Sequence, residues 1–147
     1  APRELTLVIV HLRSANGLGE KAGVAEKRRR QATGLAQWSR AGSEQAVAVV
    51  GDFNSAPDSG AFSEPWTVMA ASGLYNSWDR VKKAERYSYR HRCRPQTLDY
   101  VWLSEALKGN LRGVAISRGN AGRYDRLYGG DGTEVVSDHD VLVTYFD

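Results

Sequence analysis

Short apolar runs, separated by polar and glycine-bearing segments, predict a chain of strands and helices. The runs at 5–11, 47–50 and 141–146 are rich in β-branched residues and favour strands. Residues 24–39 place apolar side chains at helical spacing and predict an amphipathic helix. A second, shorter helix is predicted over 64–71. Its expected end signals are Ser63 as the cap, Pro65 in the first turn and Gly73 at the end.

The second half of the chain is predicted to consist mainly of strands. Residues 86–91 alternate in the manner of a strand, and 97–103 is expected to pair with them across a turn containing Pro95. A further strand is expected over 111–117. The order β-α-β-α followed by four strands predicts one α/β (α+β) domain over 1–147. Its expected architecture is half of a sheet sandwich, with helices on the outer face.

Composition narrows the class of protein only a little. Apolar residues make up 41% and charged residues 25% of 147 residues, which is typical of a soluble globular domain. The net charge of +3 is compatible with a polyanionic partner without establishing one. A lone cysteine, Cys93, excludes an intrachain disulfide and leaves the compartment undecided. No apolar run reaches the roughly 18 residues that a membrane-spanning helix needs.

The tetrapeptide Gly51-Asp52-Phe53-Asn54 follows directly on the apolar strand 47–50. In an extended chain Asp52 and Asn54 point to the same side, so a carboxylate and an amide meet at the edge of the sheet. Such a pair suits Mg²⁺ or a bound phosphate. The same residue types also form ordinary turns, so the tetrapeptide alone leaves both interpretations open.

Further polar residues stand where other predicted strands begin or end. His11 ends the first strand, Asp99 stands near the start of the strand 97–103, and Asp138 and His139 precede the last strand. Singly, each has a plain structural explanation, as the end of a strand, the cap of a turn or a polar residue that precedes a strand. Their joint occurrence, in this order, favours a functional site.

The four motifs Val-His-Leu-Arg-Ser, Gly-Asp-Phe-Asn-Ser, Leu-Asp-Tyr-Val and Ser-Asp-His-Asp together resemble the endonuclease/exonuclease/phosphatase superfamily. This resemblance extends over residues 5–147. It implies a four-layer α/β/β/α sandwich and phosphodiester hydrolysis that depends on Mg²⁺ or Mn²⁺. A nuclease acting on nucleic acid is the first expectation, and a sphingomyelinase or an inositol phosphate phosphatase is the alternative enzyme.

The resemblance also implies a role for each motif residue. Asp52 would position or activate the attacking water, and Asn54 would hold the phosphate. His139 would donate to a non-bridging phosphate oxygen while Asp99 holds its imidazole. The remaining expectations are His11 as a second catalytic histidine, Arg13 as a substrate-binding residue, and Asp52, Asn54 and Asp138 as metal ligands.

Relatives in that superfamily usually have a domain of roughly 250 residues, with a metal-binding glutamate in the N-terminal half. This chain resembles the C-terminal half, so weak metal binding is expected. The competing hypothesis is therefore a non-catalytic half-domain that assembles as a homodimer or with a complementing chain.

Two basic segments bear on the choice of partner. The run 27–30, Lys-Arg-Arg-Arg, lies within the predicted helix and is interpreted as a solvated face, with phosphate tracking as the alternative. The segment 118–134 combines glycines with arginines and tyrosines and is expected to be a functional or mobile loop. Both segments lean towards nucleic acid rather than phospholipid. His91 is assigned a structural role.

Overall fold

A computed structural model describes residues 4–41, 45–121 and 137–147. Short 3₁₀ turns lie at Gly60–Ser63, Ser77–Arg80 and Lys83–Glu85. The helices and strands, in chain order, are β1 (Leu5–His11), α1 (Val24–Ala41), β2 (Ala46–Asp52), α2 (Glu64–Ala70), β3 (Tyr75–Asn76), β4 (Tyr89–His91), β5 (Arg94–Gln96), β6 (Asp99–Leu103), α3 (Glu105–Lys108), β7 (Leu111–Ser117) and β8 (Val141–Phe146).

A mixed four-stranded sheet in the order β1-β2-β6-β3 forms the centre of the fold. Strands β1 and β2 are parallel, whereas β6 runs antiparallel to both β2 and β3. Two antiparallel pairs, β4–β5 and β7–β8, complete the described strands. These sheets and helices confirm the predicted mixed α/β fold class.

The two faces of the central sheet have different coverings. One face packs against α1 and α2, and its core includes Val47, Val49, Tyr100, Trp102, Ala36 and Met69. The other face packs against α3 and the start of β7, with Ala46, Ala48, Val101, Leu103, Leu107 and Leu111. This division follows from the strand alternation, because successive residues of β2 and β6 point to opposite faces.

Strand β1 presents an uncovered apolar stripe, formed by Leu5, Leu7 and Ile9. These three side chains are 51%, 53% and 76% exposed. In the parallel register they stand beside Ala46, Ala48 and Val50 and therefore lie on the same face of the sheet. The described part of the chain leaves this edge of the sheet open to solvent.

The predicted pairing of 86–91 with 97–103 is wrong. Strand β4 instead pairs with β5 across a turn at Arg92 and Cys93, and Pro95 lies within β5, opposite Arg90. The strand that follows, β6, joins the central sheet between β2 and β3. The physical reason is burial: four of the five residues of β6 are buried, so it needs cover on both faces.

Other element predictions need smaller corrections. Helix α2 ends at Ala70, and Ser63 stands at its cap position without making a cap hydrogen bond, because its hydroxyl donates to Gly60 O. The sequence patterns missed β3 and α3, which are only two and four residues long. Most of the predicted loop at 118–134 lies outside the described residues. None of the described helices is long and apolar enough to cross a membrane.

Candidate active site

Three of the predicted residues meet at one edge of the central sheet because of strand register. Asp52 ends β2, His11 stands opposite it on parallel β1, and Asp99 stands opposite it on antiparallel β6. Parallel strands finish at the same edge, and an antiparallel neighbour begins there. Two carboxylates and an imidazole are therefore brought together from three distant parts of the chain.

Gly51 makes this convergence sterically possible. Its φ is +131°, a conformation that L-residues avoid. A Cβ at this position would lie 2.0 Å from the carbonyl oxygen of Val10 on β1. Only glycine therefore permits β1 and β2 to approach this closely, one residue before the pair His11 and Asp52.

The Asp52 carboxylate and the Asn54 side chain form a closed hydrogen-bond unit. Asn54 donates its backbone N–H to Asp52 Oδ1 at 2.7 Å and its Nδ2 to Asp52 Oδ2 at 3.0 Å. The same Nδ2 also donates to Leu12 O at 3.0 Å. The two acceptors of Nδ2 fix the orientation of the Asn54 side-chain amide. Its oxygen, Asn54 Oδ1, is left as an acceptor with no donor among the described residues.

His139 is held by Asp99 across the site. Its Nδ1 lies 2.7 Å from Asp99 Oδ2, which leaves Nε2 as the nitrogen available to a ligand. The ring packs on Tyr89 at a centroid distance of 4.8 Å. Burial alone would lower the pKa of His139, but the hydrogen bond and charge of Asp99, with smaller contributions from Asp52 and Asp138, outweigh it and raise that pKa.

The surroundings of Asp52 raise the pKa of its carboxyl group. Burial raises its pKa, the hydrogen bond from Asn54 lowers it, and the nearby Asp99 charge raises it further. The net pKa lies above the usual aspartate value. His11 Nε2 lies 3.4 Å from Asp52 Oδ2, and its side chain is 76% exposed, so this histidine can reach a bound molecule from the solvent side.

The remaining predicted residues lie at the border of the site. Asp138 Oδ1 is 3.9 Å from His139 Nε2, and its side chain is one-third exposed. The guanidinium of Arg13 donates to Ser14 O, Ser14 Oγ and Asn16 O, so it is engaged with its own loop. The structure therefore brings Asp138 to the site and commits Arg13 to holding the loop after β1.

Asp140 is a buried carboxylate that the sequence patterns did not single out. Its Oδ1 accepts the backbone N–H groups of Gly119, Asn120 and Ala121, and its Oδ2 accepts from Arg118 at 3.0 Å. Burial alone would raise the pKa of Asp140, but these donors outweigh it and lower the pKa. Asp140 thereby anchors the segment after β7 beside His139. The sequence signal that could have indicated a role for Asp140 is its position at the end of the motif Ser-Asp-His-Asp.

The prediction that 27–30 forms a solvated face is wrong for one residue of the run. Arg29 and Arg30 do pair with Glu26 at the surface, but Arg28 is only 1% exposed. Its hydrogen bonds run to the loops around the site. No periodicity in the run distinguishes Arg28 from its neighbours, so this role was visible only in three dimensions.

The metal prediction fits these residues incompletely. Among the described residues, no group of three or more histidine, cysteine, aspartate or glutamate side chains is placed to hold a metal ion. Both oxygens of Asp52 already accept from Asn54, and Asp99 is engaged with His139. What remains is the Asn54 Oδ1 and the Asp138 carboxylate, with the unused lone pairs of Asp52. This is a smaller donor set than a divalent ion normally requires.

Two adjoining clefts extend from the site. The first, of about 510 Å³, runs from Asn54 past Tyr89, His91 and Leu98. The second, of about 530 Å³, ends among Lys83, Arg86 and Arg94. They share a common wall made of Ala56, Ser59, Phe62 and Gln96. Asn54 therefore borders a groove made of these two clefts, whose far end holds three basic side chains and Asp58.

Comparison with known proteins defines the class of this chain. Residues 6–139 match the model of the endonuclease/exonuclease/phosphatase family, and the chain belongs to that family. A comparison with curated protein sequences gives no match.

Similar solved structures share the fold at low sequence identity. They include the 3′ phosphatase NExo from Neisseria, bound to a product DNA hairpin (17% identity, TM-score 0.69, covering 96% of this chain and 60% of that one). An AP endonuclease from Archaeoglobus fulgidus gives 13% identity and a TM-score of 0.72, covering 97% and 62%. The human Nocturnin catalytic domain, with a bound sulfate anion, has 20% sequence identity and a TM-score of 0.54. That match covers 96% of this chain and 46% of the Nocturnin chain. The chain thus spans about half to three-fifths of the length of these structures.

Proposed function

We propose that this chain hydrolyses phosphodiester bonds and that its substrate is nucleic acid. The observation that carries the proposal is the Asp99–His139 pair, placed beside Asp52 at a single sheet edge in a member of a nuclease and phosphatase family. We also take 1–147 as one domain. A sphingomyelinase would share this phosphodiester chemistry with another substrate, whereas an inositol phosphate phosphatase would hydrolyse a phosphomonoester.

In the proposed reaction, His139 stabilises the charge that develops on the phosphate. Its Nδ1–H donates to Asp99, which favours the imidazolium and orients the ring, so that Nε2–H donates to a non-bridging oxygen. A donor that is already oriented costs no reorganisation as the pentavalent phosphorus forms. A neutral His139 could not hold Asp99 and donate from Nε2 at once, since only one nitrogen then carries a proton.

Asp52 is the base of the proposed reaction, with His11 beside it. Asp52 takes a proton from the attacking water, whose oxygen bonds to phosphorus as the ester P–O bond breaks. The departing oxygen takes up a proton from solvent, and His11, exposed and with its Nε2 3.4 Å from Asp52 Oδ2, orients that carboxylate beside the water. The raised pKa of Asp52 makes it a better base than an ordinary aspartate. The products are an alcohol and a phosphomonoester.

Divalent ions are used generally in this family, and we propose that Mg²⁺ or Mn²⁺ binds here weakly. The oxygen donors would be Asp138, the free Oδ1 of Asn54 and Asp52. When bound, the ion would neutralise negative charge on the phosphate. Because the Asn54 Nδ2 is engaged with Asp52 and Leu12, the amide supports an acceptor role towards a cation better than the predicted role of holding the phosphate.

The groove favours nucleic acid as the substrate. Its far end carries Lys83, Arg86 and Arg94, and Arg90 and Arg92 lie exposed on the same β4–β5 hairpin. Arg86 is paired with Asp79 and Asp58 lines the same cleft, so the cations open to a substrate are Lys83, Arg90, Arg92 and Arg94. Several separate cations suit a polymer with repeated phosphates better than a single headgroup. The DNA hairpin in the Neisseria structure supports the same substrate class. Binding should weaken with added salt, because releasing counterions into a more concentrated solution is less favourable.

A plasmid-nicking assay tests the proposal directly. Wild-type protein is compared with Asp52→Ala, His139→Ala and the surface control Glu105→Ala, each with Mg²⁺, with Mn²⁺ and with EDTA. We expect each site variant to lose about 10²-fold or more in rate, as for loss of a general base or a preorganised donor, while the control retains activity. Nicking that is unaffected in both site variants would refute the site. Parallel assays with sphingomyelin and inositol phosphates address the alternative substrates.

The open stripe of Leu5, Leu7 and Ile9 supports a second candidate function, that of an assembly module. We propose that this stripe is covered by a second copy of the chain or by a complementing half-domain. Light scattering on purified protein, beside a Leu7→Glu variant, tests it. A dimer that Leu7→Glu converts to monomer supports self-assembly, whereas a soluble wild-type monomer contradicts the homodimer.

A further inference from the structure

Arg28 is a buried cation that the proposed reaction does not use. It lies on the inner face of α1 with 1% of its surface exposed. Its Nη1 donates to Arg13 O at 2.7 Å, and its Nη2 donates to Asn54 O at 3.0 Å and to Phe62 O at 2.9 Å. All three acceptors are backbone carbonyls, and they belong to three separate segments.

Each of these carbonyls belongs to a segment that shapes the site. Arg13 stands two residues after His11, Asn54 follows Asp52, and Phe62 lies in the wall shared by both clefts. The rigid, planar fork of a guanidinium can bridge several fixed acceptors at once, which the single ammonium of lysine does less well. Arg28 therefore ties the ends of β1 and β2 to the wall of the groove.

The contact with Asn54 is the most consequential of the three. Asn54 has φ of +49°, a left-handed conformation that costs energy in a non-glycine residue. Its N–H and Nδ2 are bound to Asp52 and Leu12, and its carbonyl accepts from Arg28. Of the four polar atoms of Asn54, only Oδ1 has no partner among the described residues. Arg28 thus fixes the backbone of Asn54 on its carbonyl side, while Asp52 and Leu12 orient its side-chain amide.

Burial of Arg28 carries an electrostatic cost that simple packing would avoid. Burial lowers the pKa of its guanidinium, although Glu64 and Asp52 oppose that shift with their negative charges. A buried cation is tolerated where its donors find acceptors, and the three hydrogen bonds that Arg28 makes all go to the loops around the site. An apolar side chain could fill the same space but could not hold the three carbonyls together.

We propose that Arg28 is a positioning residue that holds Asn54, and through it Asp52, in the geometry needed for reaction. Its role in the rate rests on the proposed phosphodiesterase function, whereas its role in orienting Asn54 does not. The two parts can therefore fail separately.

The test compares Arg28→Lys and Arg28→Gln with Arg30→Gln, a matched change in the same run whose side chain lies at the surface. Steady-state kinetics on a phosphodiester substrate give kcat and KM. Heteronuclear NMR at 10 °C follows the Asn54 side-chain NH₂ signals and the exchange protection of the Asn54 backbone N–H. This measurement does not require the protein to be catalytically active.

We expect Arg28→Lys to remain folded, to lose about 10- to 100-fold in kcat with KM changed less than threefold, and to lose protection at Asn54. Arg28→Gln should show the larger loss, and Arg30→Gln should match wild type in both measurements. Unchanged Asn54 signals in both Arg28 variants would overturn the proposal. Global unfolding of both at 10 °C would also overturn it, because Arg28 would then support the whole fold rather than the site. Altered Asn54 signals in a protein without phosphodiesterase activity would uphold the positioning role and reject the proposed function.

Discussion

Replacing Gly51 by alanine should destabilise the protein and disturb the site in a single step. The added methyl would lie 2.0 Å from Val10 O, far inside normal contact distance, at a φ of +131°. Strands β1 and β2 would have to separate or the backbone would have to change conformation. Either movement displaces the next register pair, His11 and Asp52, because it follows directly on Gly51.

The cost can be estimated from its two parts. A non-glycine residue in a sparsely populated backbone region costs about 1–3 kcal/mol, and forcing an extra methyl into a filled space costs about 1–3 kcal/mol. Each kcal/mol lowers Tm by about 2–4 °C in a chain of this size. The expected fall in Tm for Gly51→Ala is therefore about 4–24 °C.

Thermal unfolding monitored by circular dichroism measures this, with Gly113→Ala as the matched control. Gly113 also lies in a strand, but its added Cβ would meet only Tyr145 at 3.6 Å, which is ordinary van der Waals contact. The control should shift Tm little. A Gly51→Ala protein whose Tm lies within about 2 °C of wild type would refute the steric reasoning. Nicking activity at 10 °C, where the variant is folded, should still fall.

The remaining predictions concern single contacts. Asp99→Asn removes the charge that raises the pKa of His139, so the alkaline limb of the pH–rate profile should move to lower pH. A limb that does not move would argue against an imidazolium donor. Gly34→Ala, within α1 and with open space at its Cβ, should stabilise by about 0.5–1 kcal/mol in urea titration, and a loss would contradict it. Tyr100→Phe removes a buried hydroxyl that bonds Ser55 O at 2.9 Å and should cost about 1–3 kcal/mol in the same titration, whereas a neutral result would mean that water replaces it.

The acidic limb of the same pH–rate profile reports on Asp52. Its pKa is raised by burial and by Asp99, so Asp52 becomes protonated, and unable to accept a proton from water, at a higher pH than an ordinary aspartate would. Activity should therefore be confined between the raised pKa of Asp52 and the raised pKa of His139. The limb should move to lower pH in Asp99→Asn, because that change removes a neighbouring negative charge.

Local pattern was sufficient for much of the fold. The β-branched runs predicted β1, β2 and β8, and the helical stripe predicted α1, because each element buries one side of a regular repeat. The motif residues Asp52, Asp99 and His139 were also identifiable, because their joint occurrence in this order resembles the motifs of one superfamily. These parts depend on neighbours within a few positions along the chain.

Tertiary structure alone decided the pairing of β6, the exposure of the β1 stripe and the roles of Arg28 and Asp140. Each depends on which distant segment lies alongside: β6 joined the sheet because both its faces needed cover, and Arg28 turned inward because three carbonyls lay there. In sequence, Arg28 is indistinguishable from Arg29 and Arg30, which remain in water beside Glu26. Contacts across 15 to 34 residues leave no local periodicity, so only the folded chain distinguishes them.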